Sequence, residues 1–425
     1  MKRSRRIEAA LLYMALLVSL WVVLAHVASA QVDENTFVVG IAEWYIPEGV
    51  EFWSRVIVPK FNELHPDLKV ELRRIGWGAE QIQVQYAAGV APDVIQYGSD
   101  KFGSYLPVLE PLNEYMERKP LEDMDDFPRA GFEASAKDGL YYGVPWYIDI
   151  RTLVYNKEYF RQAGLDENRG PSTWDEVREF AQKLTRRDAN GQVLVEGVKI
   201  DPHWLIYSPW VFQGGGRYVT SDGKSALNSE GTRRAVEFTR ALVNEYGVSV
   251  PPTMGYGVDT GQSAMGIESI GILSDAGAVD VNDIGVDFPP MGAQRTTLIS
   301  PNQWGIIRNS RHKEAAWDWI WLASTYDHLA EMARLNQISP PRASMIAESP
   351  WADDPRTQTF LQIAGIGSTF NGGTPGFEQI VRNVVGPTIN AILYEGESVA
   401  LLAEASARID AIIAEESAKL EELLK

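Results

Sequence analysis

At 425 residues and 45% hydrophobic content, the chain is long enough for two or three domains with sizeable cores. It contains no cysteine, which excludes disulfides, thiolate metal sites and a cysteine nucleophile. A formal charge of −18 argues against nucleic acid, polyanions and anionic membranes as partners.

In chain order, Lys2, Arg3, Arg5 and Arg6 precede an apolar run from Ala9 to Val27 that closes on Ala28-Ser29-Ala30. This is the pattern of a secretory signal peptide over residues 1–30, cleaved before Gln31. An uncleaved anchor is the alternative, because the run approaches spanning length. Cleavage would leave 35 basic against 56 acidic side chains, a net charge of −21.

Thr36 to Ile41 reads as a strand that ends at Glu43-Trp44-Tyr45. Val50 to Leu64 reads as a helix with Phe52, Trp53, Val56, Ile57, Phe61 and Leu64 inward and a kink at Pro59. Lys69 to Ile75 is a second strand leading to Trp77, Glu80 to Ala88 a helix stopping at Gly89, and Pro92 to Ile95 the start of a third strand. Strand, helix, strand, helix, strand at this spacing predicts a parallel sheet. Ligands sit beyond the carboxyl ends of such strands, so Glu43, Trp44, Tyr45, Trp77, Tyr97 and Asp100 form a candidate binding face. Core packing is the alternative for any one of those aromatics.

Asp138-Gly139 signals a hairpin turn, and Pro145 bars an ordinary central-strand role while pushing Val144 towards extended geometry. Ile148, Ile150, Leu153 and Tyr155 continue as a β-rich run interrupted by Asp149 and Arg151. A carboxylate and a guanidinium in that setting need partners, either each other or a bound polar molecule. Thr173 and Glu176 form a capping box for a helix whose Trp174, Val177, Phe180, Ala181 and Leu184 share one face. Trp204, Tyr207 and Trp210 lead into Gly214-Gly215-Gly216, which lacks the lysine-serine of a phosphate loop. Ser229 caps a helix containing Val236, Phe238, Leu242 and Val243. Lys313 to Thr325 is apolar nearly all round, which assigns its three tryptophans to packing. Phe377 to Leu393, kinked at Gly386-Pro387, and Val399 to Leu424 are amphipathic helices.

The run G-V-P-W-Y-I-D, V-Y-N-K-E-Y-F, A-G-L and P-S-T-W-D-E-V…A-Q-K-L-T resembles the central signature of extracellular solute-binding proteins of carbohydrate ABC importers, the relatives of maltose- and trehalose-binding proteins. In that family the first segment crosses between two lobes and its acidic residue touches sugar hydroxyls, which implies such a role for Asp149. P-D-V-I-Q-Y-G-S-D-K-F-G-S-Y resembles the segment that gives the sugar an aromatic, an aspartate and a base, implying Tyr97, Asp100 and Lys101. Gln262 to Glu268 resembles a short strand facing the ligand, and Asp283 to Ile307 resembles a return crossing where Asn302 and Trp304 meet the cleft. Gln337 to Arg342 is a third candidate crossing.

The resemblance implies an α/β two-lobed periplasmic-binding-protein fold with discontinuous lobes. Lobe 1 would span residues 33–145 plus 300–340 and lobe 2 residues 150–295 plus 345–425, with hinges near 144–151, 293–301 and 338–345. It further implies a monomeric periplasmic protein that delivers a mono-, di- or short oligosaccharide, or a polyol, to the permease subunits of an ABC importer. No cofactor or metal is called for, and without a cysteine there is no lipid anchor.

In such a cleft, aromatic faces cover the C–H faces of a sugar. Trp44, Tyr45, Trp77, Tyr97, Tyr147, Trp204, Tyr207, Trp210 and Trp304 are the candidates. Glu43, Asp100, Asp149, Glu268 and Asn302 are suitable acceptors, with Lys101, Arg151 and Arg342 as donors. The segments A-M-G-I-E-S-I-G-I-L and T-P-G-F-E-Q-I-V-R lack stacking tryptophans of the maltose-binding relatives, which favours a short ligand. A secreted glycoside hydrolase is the rival reading, since paired carboxylates could flank a sugar. Nothing in the sequence marks one of them as held protonated, as a general acid requires.

Overall fold

Thr36-Phe-Val-Val-Gly-Ile-Ala42 is apolar on both faces, and as strand β1 it is buried on both faces from Phe37 onward. That is the pattern of a strand inside a parallel sheet. The computed structural model describes residues 33–42, 47–76, 78–252, 257–273, 278–336, 341–345 and 354–423. β1 runs parallel to β2 (Lys69–Ile75) on one side and to β3 (Val94–Gly98) on the other, as the alternation of strands and helices predicts.

The chain then leaves the first lobe along β4 (Val144–Ile150), passes Arg151 and enters β5 (Thr152–Asn156). β5 is the centre of a second sheet, antiparallel to β6 (Met265–Glu268) and β7 (Ile284–Asp287). It returns along the ten-residue β8 (Thr297–Ile306), which pairs antiparallel with both β3 and β4. β9 (Gly367–Ser368) joins the start of β8. Paired β4 and β8 therefore form a two-stranded bridge between two lobes, each with its own core.

Pro145 lies inside β4 but not in an ordinary central-strand setting, and Val144 before it is extended, as the proline requires. It is tolerated because, among the described residues, β4 pairs with β8 alone and the register shifts between Asn302 and Gln303, opposite the proline.

The first core gathers Trp53, Trp146, Trp304 and Trp319, with Trp53 and Trp304 edge-to-face at 5.2 Å. Trp317 and Trp319 of α4 (Lys313–Ala323) are buried, in line with a packing role. The second core is built from α1 (Trp174–Leu184), α2 (Trp204–Gln213), α3 (Glu230–Asn244) and the start of α5 (Leu401–Leu423). All five apolar positions read for α1 are buried, and Thr173 Oγ1 accepts from the Glu176 amide at 3.2 Å. α2 is an addition: its two-sided burial gave the sequence no amphipathic period to read.

Both expected proline kinks take one form. Pro59 and Pro387 each occupy the second residue of an α-segment, Val58–Leu64 and Gly386–Tyr394, that follows a π-turn, Trp53–Ile57 and Val381–Val385. The wider turn removes the clash between the ring and the carbonyl four residues back. Leu64, expected inward, is instead half exposed at the last residue of its helix.

Candidate functional site

Register places the polar residues before any side chain is considered. Gly98 at the end of β3 pairs with Asn302 of β8, which pairs on its other side with Tyr147 of β4. Two residues along, Ser300 faces Asp149, and across the second sheet Thr152 faces Glu268. The carboxyl end of β3, the two bridging strands and the end of β6 thus meet at the junction of the lobes.

Asp149 and Arg151 are partners of each other. Arg151 Nη2 and Nε donate to the single oxygen Asp149 Oδ2 at 2.6 and 3.0 Å, and both side chains are largely buried. The Arg151 amide donates to the Leu298 carbonyl at 3.0 Å, fixing the crossing backbone to β8. Burial opposes the charge on Arg151, but Asp149, Tyr147 and Glu268 outweigh it and raise its pKa. On the second lobe, Lys199 Nζ lies 3.2 Å from Glu268 Oε1, both mostly buried. Burial raises the Glu268 carboxyl, while Lys199 and Arg151 pull it back.

From the first lobe, Asp100 and Lys101 follow β3 in a short 3-10 turn and are buried. Burial raises Asp100, against the pull of Lys101, Arg382 and His203. Burial also lowers Lys101, against the pull of Asp100 and Glu378. His203, just ahead of α2, is lowered by burial and by the nearby Arg151 and Arg382. Its ring lies 5.6 Å from Trp204.

Asp100, Lys101, Tyr147, Asp149, Arg151, Glu268 and Asn302 are therefore brought together, along with four groups that sequence reading missed: Lys199, His203, Glu378 and Arg382. Glu378 and Arg382 form an i,i+4 pair at 3.3 Å, a spacing that more often marks a solvated helix face. Trp204 sits beside His203 and is mostly buried against Phe370.

Five other candidates belong to the cores. Tyr97 is fully buried, donates its hydroxyl to the Tyr142 carbonyl at 3.1 Å, and stands against Tyr105. Gly143 and Gly305 make its slot, since a Cβ on either would come within 2.8 Å of the ring or hydroxyl. The resemblance had implied a sugar contact; the period of the strand turns Tyr97 the other way. Tyr207 bonds Thr239 Oγ1 at 2.6 Å, Trp210 packs near Trp174 and Phe238, and Trp304 belongs to the tryptophan core. Arg342 donates to the Ser324 carbonyl at 2.7 Å and lies over the Phe127 ring. Glu43, Trp44, Tyr45 and Trp77 lie outside the described residues, as do residues 337–340 of the third expected crossing and the whole signal segment.

Tyr97→Phe should accordingly lower stability by about 1 kcal/mol, the value of one buried hydrogen bond, and leave ligand affinity unchanged. Urea unfolding and calorimetric titration of the variant check both halves.

Comparison with known proteins agrees with this architecture. The chain is 22% identical over 409 residues to a Brucella abortus binding protein, covering 92% of this chain and 96% of that one. The sugar-binding protein MalE from Xanthomonas citri superposes with a TM-score of 0.77 at 22% identity, over 91% of this chain and 99% of that one. A Thermotoga lettingae ABC transporter solute-binding protein bound to α-D-tagatose gives 0.74 at 21% identity, over 89% and 100%. Residues 45–325 match the family model of bacterial extracellular solute-binding proteins. The two lobes bridged by β4 and β8 agree with that match, and this chain belongs to the family of bacterial extracellular solute-binding proteins.

Proposed function

We propose that the protein is the periplasmic substrate-binding component of an ABC importer and carries a short carbohydrate or a polyol to the permease. The observation that carries the ligand class is the junction itself: charged pairs from both lobes, Asp149–Arg151 and Lys199–Glu268, with Tyr147, Asn302 and His203 beside them. A neutral ligand rich in hydroxyls both donates and accepts, so it can bond each member of such a pair without adding charge. Trp204 is mostly buried, and Tyr207 and Trp210 are core, so among the described residues the second lobe offers little stacking surface, which favours a mono- or disaccharide over a long chain. The two structural relatives above, one named as sugar-binding and one bound to tagatose, support the same class.

The hydrolase reading meets the same residues. Burial raises Asp100, Glu268 and Glu378 despite the cations each faces. A raised carboxyl suits a general acid, so turnover rather than electrostatics separates the two readings.

A thermal-shift screen of residues 31–425 against sugars, polyols, amino acids and short peptides tests the proposal. A ligand at 100 times its Kd stabilises the fold by about 2.7 kcal/mol, so a sugar or polyol should raise Tm by several degrees. A shift from another solute, with silence from every carbohydrate, would overturn the ligand class. Sugar released from a bound glycoside above a no-protein control would revive the hydrolase.

A further inference from the structure

Three pieces of the first lobe meet at one buried histidine. His328 lies in the first turn of the helix Tyr326–Asn336 and is 6% exposed. Its Nδ1 stands 2.6 Å from the Leu322 carbonyl oxygen, in the last turn of α4, and 2.8 Å from Thr325 Oγ1 between the two helices. Its Nε2 stands 2.7 Å from Lys60 Nζ, on the segment Val58–Leu64. A carbonyl oxygen only accepts, so Nδ1 carries the proton and Nε2 keeps a lone pair. An ammonium has donors alone, so Lys60 donates to that lone pair. The contacts thus fix the ring as a neutral imidazole in one tautomer.

A second proton on the ring turns this arrangement against itself. Nε2–H would face an ammonium 2.7 Å away, donor to donor and cation to cation. The charged groups that act on the ring are Lys60 and, in the opposite sense, Asp327 on its own helix. The other charges of the packed elements are engaged elsewhere. Asp318 of α4 pairs with His65 and Lys119, Glu51 pairs with Arg55, and Arg342 donates to the Ser324 carbonyl; Glu63 is exposed. Burial and Lys60 hold the imidazole below its ordinary pKa, against the pull of the Leu322 carbonyl and Asp327. Leu329 and Met332 of the same helix pack with Phe52 and Trp53 in the tryptophan core. The helix ends at Asn336, directly before the third expected crossing.

We propose that Lys60 and His328 form an acid-sensitive catch: neutral His328 docks the helix Tyr326–Asn336 onto Val58–Leu64, and protonation of His328 expels Lys60 and releases that helix. Lys60 is exposed, so its ammonium has water to move into. The buried ring has none, so an imidazolium is solvated only when the helix loosens around it. Leu329 and Met332 carry that loosening into the tryptophan core. No ligand enters the scheme, so the catch stands or falls independently of the carbohydrate reading.

Scarcity of histidine makes the test direct. Residues 31–425 contain only His65, His203, His312 and His328, so nitrogen-15 labelling of histidine gives few signals, which single His→Gln variants assign. At pH 8 His328 should be neutral with its proton on Nδ1, and its titration midpoint should lie below the ordinary value of about 6.5. Lys60→Met leaves the buried ring in place and should raise that midpoint by about one unit. Lys69→Met, on an exposed position of β2, should not move it. Hydrogen exchange of the amides of Tyr326–Asn336, corrected for the intrinsic effect of pH, reads the release. The parent should lose about tenfold in protection between pH 7 and pH 5, whereas His328→Gln, which stays neutral, should keep it. If His328→Gln folds poorly, the midpoint in Lys60→Met carries the test. A proton on Nε2 instead of Nδ1, an unmoved midpoint in Lys60→Met, or protection that stays level as His328 titrates would each overturn the catch.

Discussion

Asp149→Ala is expected to destabilise the protein by about 3–5 kcal/mol and to abolish ligand binding. The carboxylate takes both donors of Arg151 on one oxygen, at 2.6 and 3.0 Å, in a largely buried site. Its removal leaves a guanidinium facing the bridge between the lobes without its nearest counter-charge. Glu268, across from Thr152 in the second sheet, still attracts Arg151 and places the cost at the lower end of that range. The paired variant Asp149→Leu with Arg151→Met separates the two roles. Buried ion pairs replaced by apolar groups of similar size are often close to neutral in stability, so this variant should unfold near the parent midpoint in urea. It should nevertheless fail to bind sugar, because both hydroxyl-directed groups are gone. If Asp149→Ala instead costs under about 1 kcal/mol, the pair behaves as an exposed one and the bridge is wetter than its burial implies. If the double variant binds sugar normally, both residues belong to the hinge alone.

The same junction shows what sequence reading reaches and where it stops. Asp149 and Arg151 were legible because charge inside an apolar strand has to be explained, and α1 was legible because its five apolar positions share one face. Residue type at a strand end says less. Tyr97 and Asp100 stand three residues apart, yet one fills a slot in the core and the other faces the charges of the second lobe. β8 is buried on both faces throughout, so Asn302 and Trp304 both looked available, although only Asn302 lies at the junction. The groups that were missed, Lys199, His203, Glu378 and Arg382, come from loop ends and a helix start far apart in sequence. Nothing local distinguishes them from the other charges of an acidic surface; topology alone brings them to Asp100 and Arg151. A proline likewise announces a break, but whether it becomes a kink, a π-turn or a strand bulge depends on what packs against it.

A second large effect is expected with pH, and it comes from a buried carboxyl of the second lobe. Glu196 is almost fully buried in the second lobe, where its oxygens accept from Ser263 Oγ at 2.6 Å, Ser249 Oγ at 3.0 Å and the Val250 amide at 3.2 Å. Burial outweighs these donors and pushes its pKa up to about 7, against an ordinary 4.5. Below pH 4.5 the group is protonated in both the folded and the unfolded chain. Between 4.5 and 7 the unfolded chain releases its proton first, so the folded state binds more protons and stability falls as pH rises. Above 7 the loss is complete, at about 3 kcal/mol. Burial lowers His203 and His328, which act with the opposite sign, since the unfolded chain takes up their protons as pH falls through 6.5. The raw pH profile is therefore a sum, and the informative quantity is the difference between the parent and Glu196→Gln. Urea unfolding at pH 5 and pH 8 should show the parent losing about 2.5 kcal/mol more than the variant across that interval. Equal slopes would mean that the three donors hold Glu196 ionised at pH 5 already, and that this part of the second lobe tolerates a buried charge through hydrogen bonds alone.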